Sequence, residues 1–310
     1  MLFRSFGTPA FPLRNTHKVN RRTRLETEIL GLLTTQPDLS FNIVDLTKMP
    51  ERIGAHVNPF MRLAVNRNPS GAHVATLSGD WENFYVSRRL NSARQQERRY
   101  RRKLEKYGAI LFSKAADSEA ITLVMDTLYA QKGRSFARMG VENIFDRAGY
   151  KEFFTGVACR AKSNDLVMAS CLRIGETIAV TNLGIQFRGD YYLVLSSYVD
   201  GEMSRFGPGR FHLHELIKRT IDNGGTKFDF TIGDEDYKRI WADVQLTLYD
   251  HTAACTVRGW AAVLFLVGLR HLKRFIKQTP AAWRAFTHLR SLKNKLAGSG
   301  AVPADTASDE

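Results

Sequence analysis

Residues 190–241 read DYYLVLSSYVDGEMSRFGPGRFHLHELIKRTIDNGGTKFDFTIGDEDYKRIW. Tyr191 to Val199 is rich in aromatic, β-branched and aliphatic residues, the composition of a buried strand. Gly207-Pro208-Gly209 then breaks the chain. Leu213, Leu216, Ile217, Thr220 and Ile221 follow at i, i+3, i+4, i+7 and i+8, one buried face of a helix. Gly224-Gly225 ends that helix. Phe228, Phe230 and Ile232 alternate with Asp229 and Thr231, as in a half-buried strand. A strand that feeds a glycine turn and then a helix N-terminus suits an anion such as phosphate. The first N–H groups of a helix have no partner within it, and the helix dipole favours negative charge there.

Upstream, Leu166–Ile174 and Thr177–Gly184 form a hairpin pattern across Gly175-Glu176. Three successive antiparallel strands, a turn, a helix and a further strand make an α+β order with a mixed sheet, not a βαβ repeat. Asp117-Ser118 followed by Glu119 starts a helix whose inner face is Ile121, Val124, Met125 and Leu128. Gln131-Lys132-Gly133-Arg134-Ser135 reads as a polar break after it. Tyr150 to Ala161 reads as a helix with Phe153, Phe154 and Val157 inward, and Ile110 to Ser113 as a short strand. Trp81 to Tyr107 reads as one long helix. Val86, Leu90, Ala93, Tyr100, Leu104 and Tyr107 form its stripe, interrupted by Glu97 and surrounded by arginines. Before it, Arg22–Thr35 reads as a helix and Leu39–Leu46 as a strand.

The net charge of +14 is concentrated. Trp81–Tyr107 holds nine Lys/Arg and three Glu, and His251–Pro303 holds nine Lys/Arg and no acid. Affinity for an anionic surface is therefore local to two helical patches. Arg258 to Lys277 is a helix that is apolar nearly all round at first. Leu269, Leu272, Phe275 and Ile276 then lie opposite Arg270, Lys273, Arg274 and Lys277. Two readings stay open for it: a helix packed on the domain or a partner subunit, or one lying in an anionic membrane interface. Trp283, Phe286 and Leu289 begin a second basic helix, and 297–310 reads as a disordered tail. Three cysteines without metal-type spacing read as reduced thiols of a cytosolic protein. No signal peptide or spanning stretch is evident. The best apolar run, Trp260–Leu269, is half of the roughly 20 residues a spanning helix needs. The expected location is the cytoplasm, peripherally at the inner membrane if the tail binds lipid. No RNA- or DNA-binding signature accompanies the arginines, which argues against nucleic acid as a partner.

Ser204-Arg-Phe-Gly-Pro-Gly-Arg210 and Phe228-Asp-Phe-Thr-Ile-Gly-Asp-Glu-Asp-Tyr-Lys-Arg-Ile-Trp241 resemble the CelD-like branch of the GNAT acyltransferases. That branch is associated with cellulose and exopolysaccharide biosynthesis and is related to Fem-type aminoacyl transferases. The resemblance runs from about Asp80 to Asp250. It implies a GNAT-like, mostly antiparallel sheet flanked by helices over 81–250, an incomplete first lobe over 1–80, a basic helical tail over 251–296 and a disordered 297–310. With only about 80 residues before the arginine-rich helix, the expectation is a shortened first lobe, or a Met1 internal to a longer reading frame.

The resemblance also implies acyl transfer from acetyl-CoA or another acyl-CoA to an amine or hydroxyl of a sugar, lipid or cell-envelope precursor, without a metal. The donor pyrophosphate would lie on Gly207, Gly209, Arg210 and Phe211, with Arg205 assisting. Ser197 lies beside the thioester, and the pantetheine arm runs along the edge of Leu193–Tyr198. Asp234 or Glu235 is the candidate base, Tyr237 the proton donor to the leaving thiolate, and Lys238 the oxyanion or substrate-anion ligand. His212 and His214 are further candidate bases, against the plainer reading of one solvent-facing and one packing histidine. The plainer reading of 233–238 is a charged loop in which Asp236 pairs with Lys238 and Trp241 fills the core. The alternative function is a non-catalytic accessory protein of a polysaccharide-synthesis system that keeps the GNAT shape.

Overall fold

The computed structural model describes residues 42–160, 166–233 and 235–278. The expected helices at 22–35 and from Trp283, the tail at 297–310 and Asp234 lie outside them. In chain order the elements are β1 (Ile43–Pro50), β2 (Arg52–Ile53), β3 (His56–Val57), β4 (Asn66–Arg67), β5 (Ala72–Thr76), α1 (Trp81–Arg88), α2 (Asn91–Glu105) and β6 (Ile110–Lys114). They continue with α3 (Ser118–Met139), α4 (Tyr150–Arg160), β7 (Val167–Ile174), β8 (Thr177–Phe187) and β9 (Asp190–Tyr198). The last are α5 (Pro208–Asp222), β10 (Lys227–Ile232), α6 (Asp236–Trp241), β11 (Val244–Leu246), β12 (Leu248–Ala254) and α7 (Val257–Gln278). They divide into two compact units, Gly71–Leu246 and a second made from the flanking ends of the chain.

The larger unit is a seven-stranded sheet in the order β11-β5-β10-β9-β8-β7-β6. Every pairing is antiparallel except β9 with β10. That parallel pair is joined by α5, because parallel neighbours need a crossover. This is the mixed sheet that the order of elements predicts and the mostly antiparallel, helix-flanked sheet that the family resemblance implies. Residues of β7 alternate between two cores. Val167, Ala169 and Cys171 pack with Ile121, Met125 and Leu128 of α3 on one face. Met168 and Leu172 pack in the cores that include Leu216 and Phe211 of α5 on the other. A strand covered on both faces reads as a continuous apolar run, as here. Phe228 and Phe230 are fully buried beside Tyr191 and Trp241. Each such aromatic contributes about 1.5–3 kcal/mol.

Expectations for three helical segments need correction. The segment Trp81–Tyr107 is two helices, parted at Arg89 and Leu90, whose backbones are extended. The expected stripe is not a buried face: Leu90 is 79% exposed, and Val86 and Tyr107 are exposed too. The buried residues are Phe84, Glu97 and Leu104. The break lets Arg89 fold back onto Glu97, eight residues away and about 12 Å along a straight helix. The polar run at 131–135 does not end α3, which continues to Gly140 in a left-handed cap. Gln131 stays helical because the sheet satisfies it: its amide donates to the Ile178 carbonyl and its oxygen accepts from Thr181 Oγ1. In α4, Phe153 and Val157 face outward, and Ala158 is the residue fully buried.

The second unit holds the three-stranded sheet β1-β12-β4 around Val44, Leu46 and Met49. The strand expected at Leu39–Leu46 appears as Ile43–Pro50. Helix α7 packs on β12 and β1. It approaches so closely that a side chain at Gly259 would collide with the Asn42 carbonyl.

Candidate active site

Three structural features surround the place where β9 and β10 separate. The first is the start of α5. A short turn at Glu202–Phe206 leads to Gly207, whose left-handed conformation (φ 62°, ψ 56°) caps the helix without a side-chain hydrogen bond. Pro208 occupies the first helical position, where its missing N–H costs nothing. Gly207 is the glycine the backbone requires. A Cβ on Gly209 would meet only Tyr198, at an ordinary 3.9 Å. Arg210 lies with its guanidinium 5.5 Å from the Tyr100 ring and its Nε 3.8 Å from Glu97 Oε1. Its backbone N–H already donates to the Gly207 carbonyl. Arg205 is exposed. The Phe211 ring is core, and its amide stands at the fourth helical position, where internal helix bonding begins.

The second feature is the splay itself. β9 and β10 pair only at Tyr191–Phe228 and Tyr192–Asp229. Beyond that point Thr231 Oγ1, not a backbone amide, donates to the Leu193 carbonyl at 2.9 Å. Both strands are irregular here. β9 shifts register against β8 between Leu193 and Leu195. β10 shifts against β5 between Asp229 and Ile232. Thr231 has φ 58°, an outlier for a β-branched residue that costs on the order of 1–3 kcal/mol. Its N–H donates to Asp229 Oδ1 at 2.7 Å. Ser197 is buried opposite Thr181 on β8.

The third feature follows β10. Lys238 is buried, with Nζ 2.8 Å from the Ile232 carbonyl and 3.0 Å from Glu235 Oε2. The charged-loop reading pairs Lys238 with Asp236; the ion pair is with Glu235 instead, and Gly233, with no side chain, leaves room for it. A Cβ there would lie 2.8 Å from the ammonium and overlap the carboxylate. Tyr237 packs edge-on against Phe230, and burial, with the Glu235 charge beside it, raises its phenol well above the ordinary value. Burial also raises the Asp229 carboxyl, against the Thr231 amide and Lys238. Trp241 is buried in the core, as expected. Lys132 of α3 joins this cluster: burial lowers its affinity for a proton, Glu235 raises it and Lys238 lowers it again. The sequence reading missed Lys132 because it ended the helix there. A lysine at helical spacing from Leu128 was the available signal.

His212 of α5 is buried, and His214 is half-buried with its Nε2 enclosed. His212 is buried against Phe112, 3.2 Å from Ser170 Oγ, and burial pushes its pKa down to about 3. His214 packs among Trp81, Tyr85, Phe211 and Trp241. Burial, followed by Arg210, Arg89 and Arg101, also pushes it down to about 3. A cavity of about 180 Å³ between α1, α2 and α5 is lined by His214 and Phe211 but not by Glu235, Tyr237 or Lys238. Glu97 at its wall accepts from Tyr85 and from Arg89. Among the described residues no group of three or more His, Cys, Asp or Glu converges as a metal site.

Residues 91–239 match the family model described as an acetyltransferase (GNAT) domain. The stretch from α2 into α6 is thus similar to a GNAT-type acetyltransferase domain. Among solved structures, the crystal structure of FemX superposes with a TM-score of 0.51 at 8% identity, over 74% of this chain and 77% of that one. A conserved protein of unknown function from Bacteroides thetaiotaomicron superposes at TM-score 0.40 and 9% identity, over 76% and 74% of the two chains. A C-terminal DUF2156 domain from Agrobacterium fabrum gives 0.43 and 12%, over 66% and 65%. No curated protein matches the chain. At these identities FemX likeness is likeness of fold. The GNAT match includes the start of α5, the splay and all of the 235–238 cluster.

Proposed function

We propose that the GNAT domain transfers an acyl group from acyl-CoA to an amine or hydroxyl of a sugar, lipid or other cell-envelope precursor. The observation that carries this reading is the separation of β9 from β10, the two strands joined through α5, whose first turn has no side-chain cap. The donor pyrophosphate sits at Gly207–Arg210, with Arg210 and Arg205 making charge-assisted contacts. The pantetheine arm takes the strand edge from Leu193 to Tyr198 that β10 leaves unpaired, as an added strand would. The thioester then lies near Ser197 and the 235–238 cluster.

Chemistry in such a site is mostly positioning. The acceptor nitrogen or oxygen attacks the thioester carbon, its proton passes to Glu235 or Asp234, and the C–S bond breaks. Lys238 stabilises the oxyanion or an anionic group of the acceptor. A phenol raised by burial holds its proton more tightly than an ordinary thiol, whose pKa is about 8.5. Tyr237 therefore acts as a hydrogen-bond donor to the departing thiolate, which takes its proton finally from solvent. Cell-envelope acceptors are proposed on the family resemblance and the Fem-like fold.

Titration calorimetry with acetyl-CoA and with longer acyl-CoA is expected to show saturable, one-to-one binding. No heat with any donor overturns the reading. Release of free CoA thiol, screened over amino sugars, hydroxylated lipids and cell-wall precursors, identifies the acceptor.

A further inference from the structure

Helix α7 lies outside the GNAT match and has no role in the chemistry proposed above. Val257, Trp260, Ala261, Leu264, Phe265, Gly268 and Leu269 are all exposed, at i, i+3, i+4, i+7, i+8, i+11 and i+12. The exposures are large: 78% for Val257, 62% for Trp260, 66% for Leu264 and 65% for Phe265. Between them, Gly259, Ala262, Val263, Leu266 and Val267 are buried or half-buried. The inner side packs on β12 and β1. From Val257 to Leu269 the outer side is thus a continuous apolar stripe. Arg258 is the one charged residue of the helix before Arg270. A stripe of this size left open to water marks an interaction surface.

The charge of the same segment selects the partner. Arg258, Arg270, Lys273, Arg274 and Lys277 lie in α7, and residues 251–303 contain no acid at all. A second copy of the helix would bring cations against cations, with no carboxylate in the segment to pair them. A surface of phospholipid phosphates supplies the missing sign. Trp, Phe and Leu on one face with Lys/Arg elsewhere is the composition of a helix lying in a membrane interface. Among the described residues no helix is long and apolar enough to cross a membrane. We propose that α7 docks on an anionic phospholipid surface, parallel to the bilayer, with Trp260, Leu264, Phe265 and Leu269 at the boundary of headgroups and acyl chains. The proposal stands independently of acyl transfer.

The test is flotation of the full chain with vesicles of phosphatidylcholine alone and of phosphatidylcholine mixed with phosphatidylglycerol. Binding is expected to the mixed vesicles, at least about tenfold stronger than to the neutral ones and weakened by salt. The double substitution Leu264→Glu with Phe265→Glu, at positions that support no core, is expected to reduce binding at least about tenfold with unchanged circular dichroism. A second readout does not depend on that variant. Brominated phosphatidylglycerol should quench wild-type tryptophan fluorescence, and a Trp260→Leu variant should lose part of that quenching. Absent flotation with mixed vesicles, unchanged binding of the double variant, or quenching independent of Trp260 each overturns the proposal. So does a wild-type dimer that becomes a monomer in the double variant without lipid binding, which assigns the face to a second copy.

Discussion

Lys238 and Glu235 show how one missing side chain shapes a site. Gly233 leaves room for a buried ammonium to reach both the Ile232 carbonyl and the Glu235 carboxylate. Lys238→Met keeps the volume and removes the charge. It is expected to lower the rate of thiol release by about 100-fold, in line with loss of one oxyanion-stabilising group, with a smaller effect on acetyl-CoA affinity. Equal rates for variant and wild type would remove Lys238 from the mechanism. His214 gives a prediction about stability. Its folded pKa of about 3 lies below the ordinary 6.5, so between those values the unfolded chain binds a proton that the folded chain refuses. Stability therefore falls as pH drops from about 6.5 towards 3, and is unaffected by this group above that window. Nε2 of His214 is buried without a hydrogen-bond partner, so His214→Phe forfeits no bond at that atom. Urea midpoints at pH 8 and pH 4.5 are expected to differ less in His214→Phe than in wild type. An unchanged difference refutes a buried neutral imidazole. Neither property was visible in the sequence. Histidines at the start of a helix look accessible until the fold brings in the aromatic residues around them, Phe112 of β6 at His212 and those of α1 and α6 at His214.

At the scale of elements, Glu97 links three helices. It accepts from Tyr85 of α1 and Arg89 just beyond it, and lies 3.8 Å from Arg210 of α5. Its carboxylate is almost wholly buried, so its removal leaves the half-buried cations unpaired. Glu97→Ala is expected to cost about 3 kcal/mol of stability, measured by denaturant unfolding. A loss below about 0.5 kcal/mol, the usual size for a surface substitution, contradicts the linkage. Arg210→Ala leaves Glu97 its other two partners, and is expected to weaken acetyl-CoA binding about tenfold, one charge-assisted contact, with little change in stability. The two variants separate a structural arginine from a ligand-binding one. Alternation and helical spacing sufficed to place β7 to β10 and α5, because each is governed by contacts on a regular face. The break at Arg89-Leu90 and the continuation of α3 through Gln131 depend on distant polar partners, Glu97 and the β8 backbone, that no local pattern encodes. The same holds for Lys132, whose neighbours Glu235 and Lys238 are about a hundred positions away in the chain.

For the whole molecule, the order of chain and the division of structure differ. Gly71–Leu246 is continuous in sequence, whereas the other unit is assembled from the segments before and after it. The continuous unit contains the full seven-stranded sheet, with apolar cores on both faces. Its length exceeds the roughly 100–150 residues typical of an independently folding domain. A fragment of residues 71–246 is therefore expected to fold alone, with a single cooperative urea transition, and to bind acetyl-CoA within about threefold of the full chain, a difference of less than 1 kcal/mol. The fragment keeps the arginine-rich α2 and loses α7, so vesicle binding should disappear while donor binding remains. A fragment that folds and binds acetyl-CoA but still floats with anionic vesicles would move the membrane contact from α7 to α2. A fragment that cannot fold would mean that the flanking segments complete the domain, and that the sheet's own cores do not suffice to hold it.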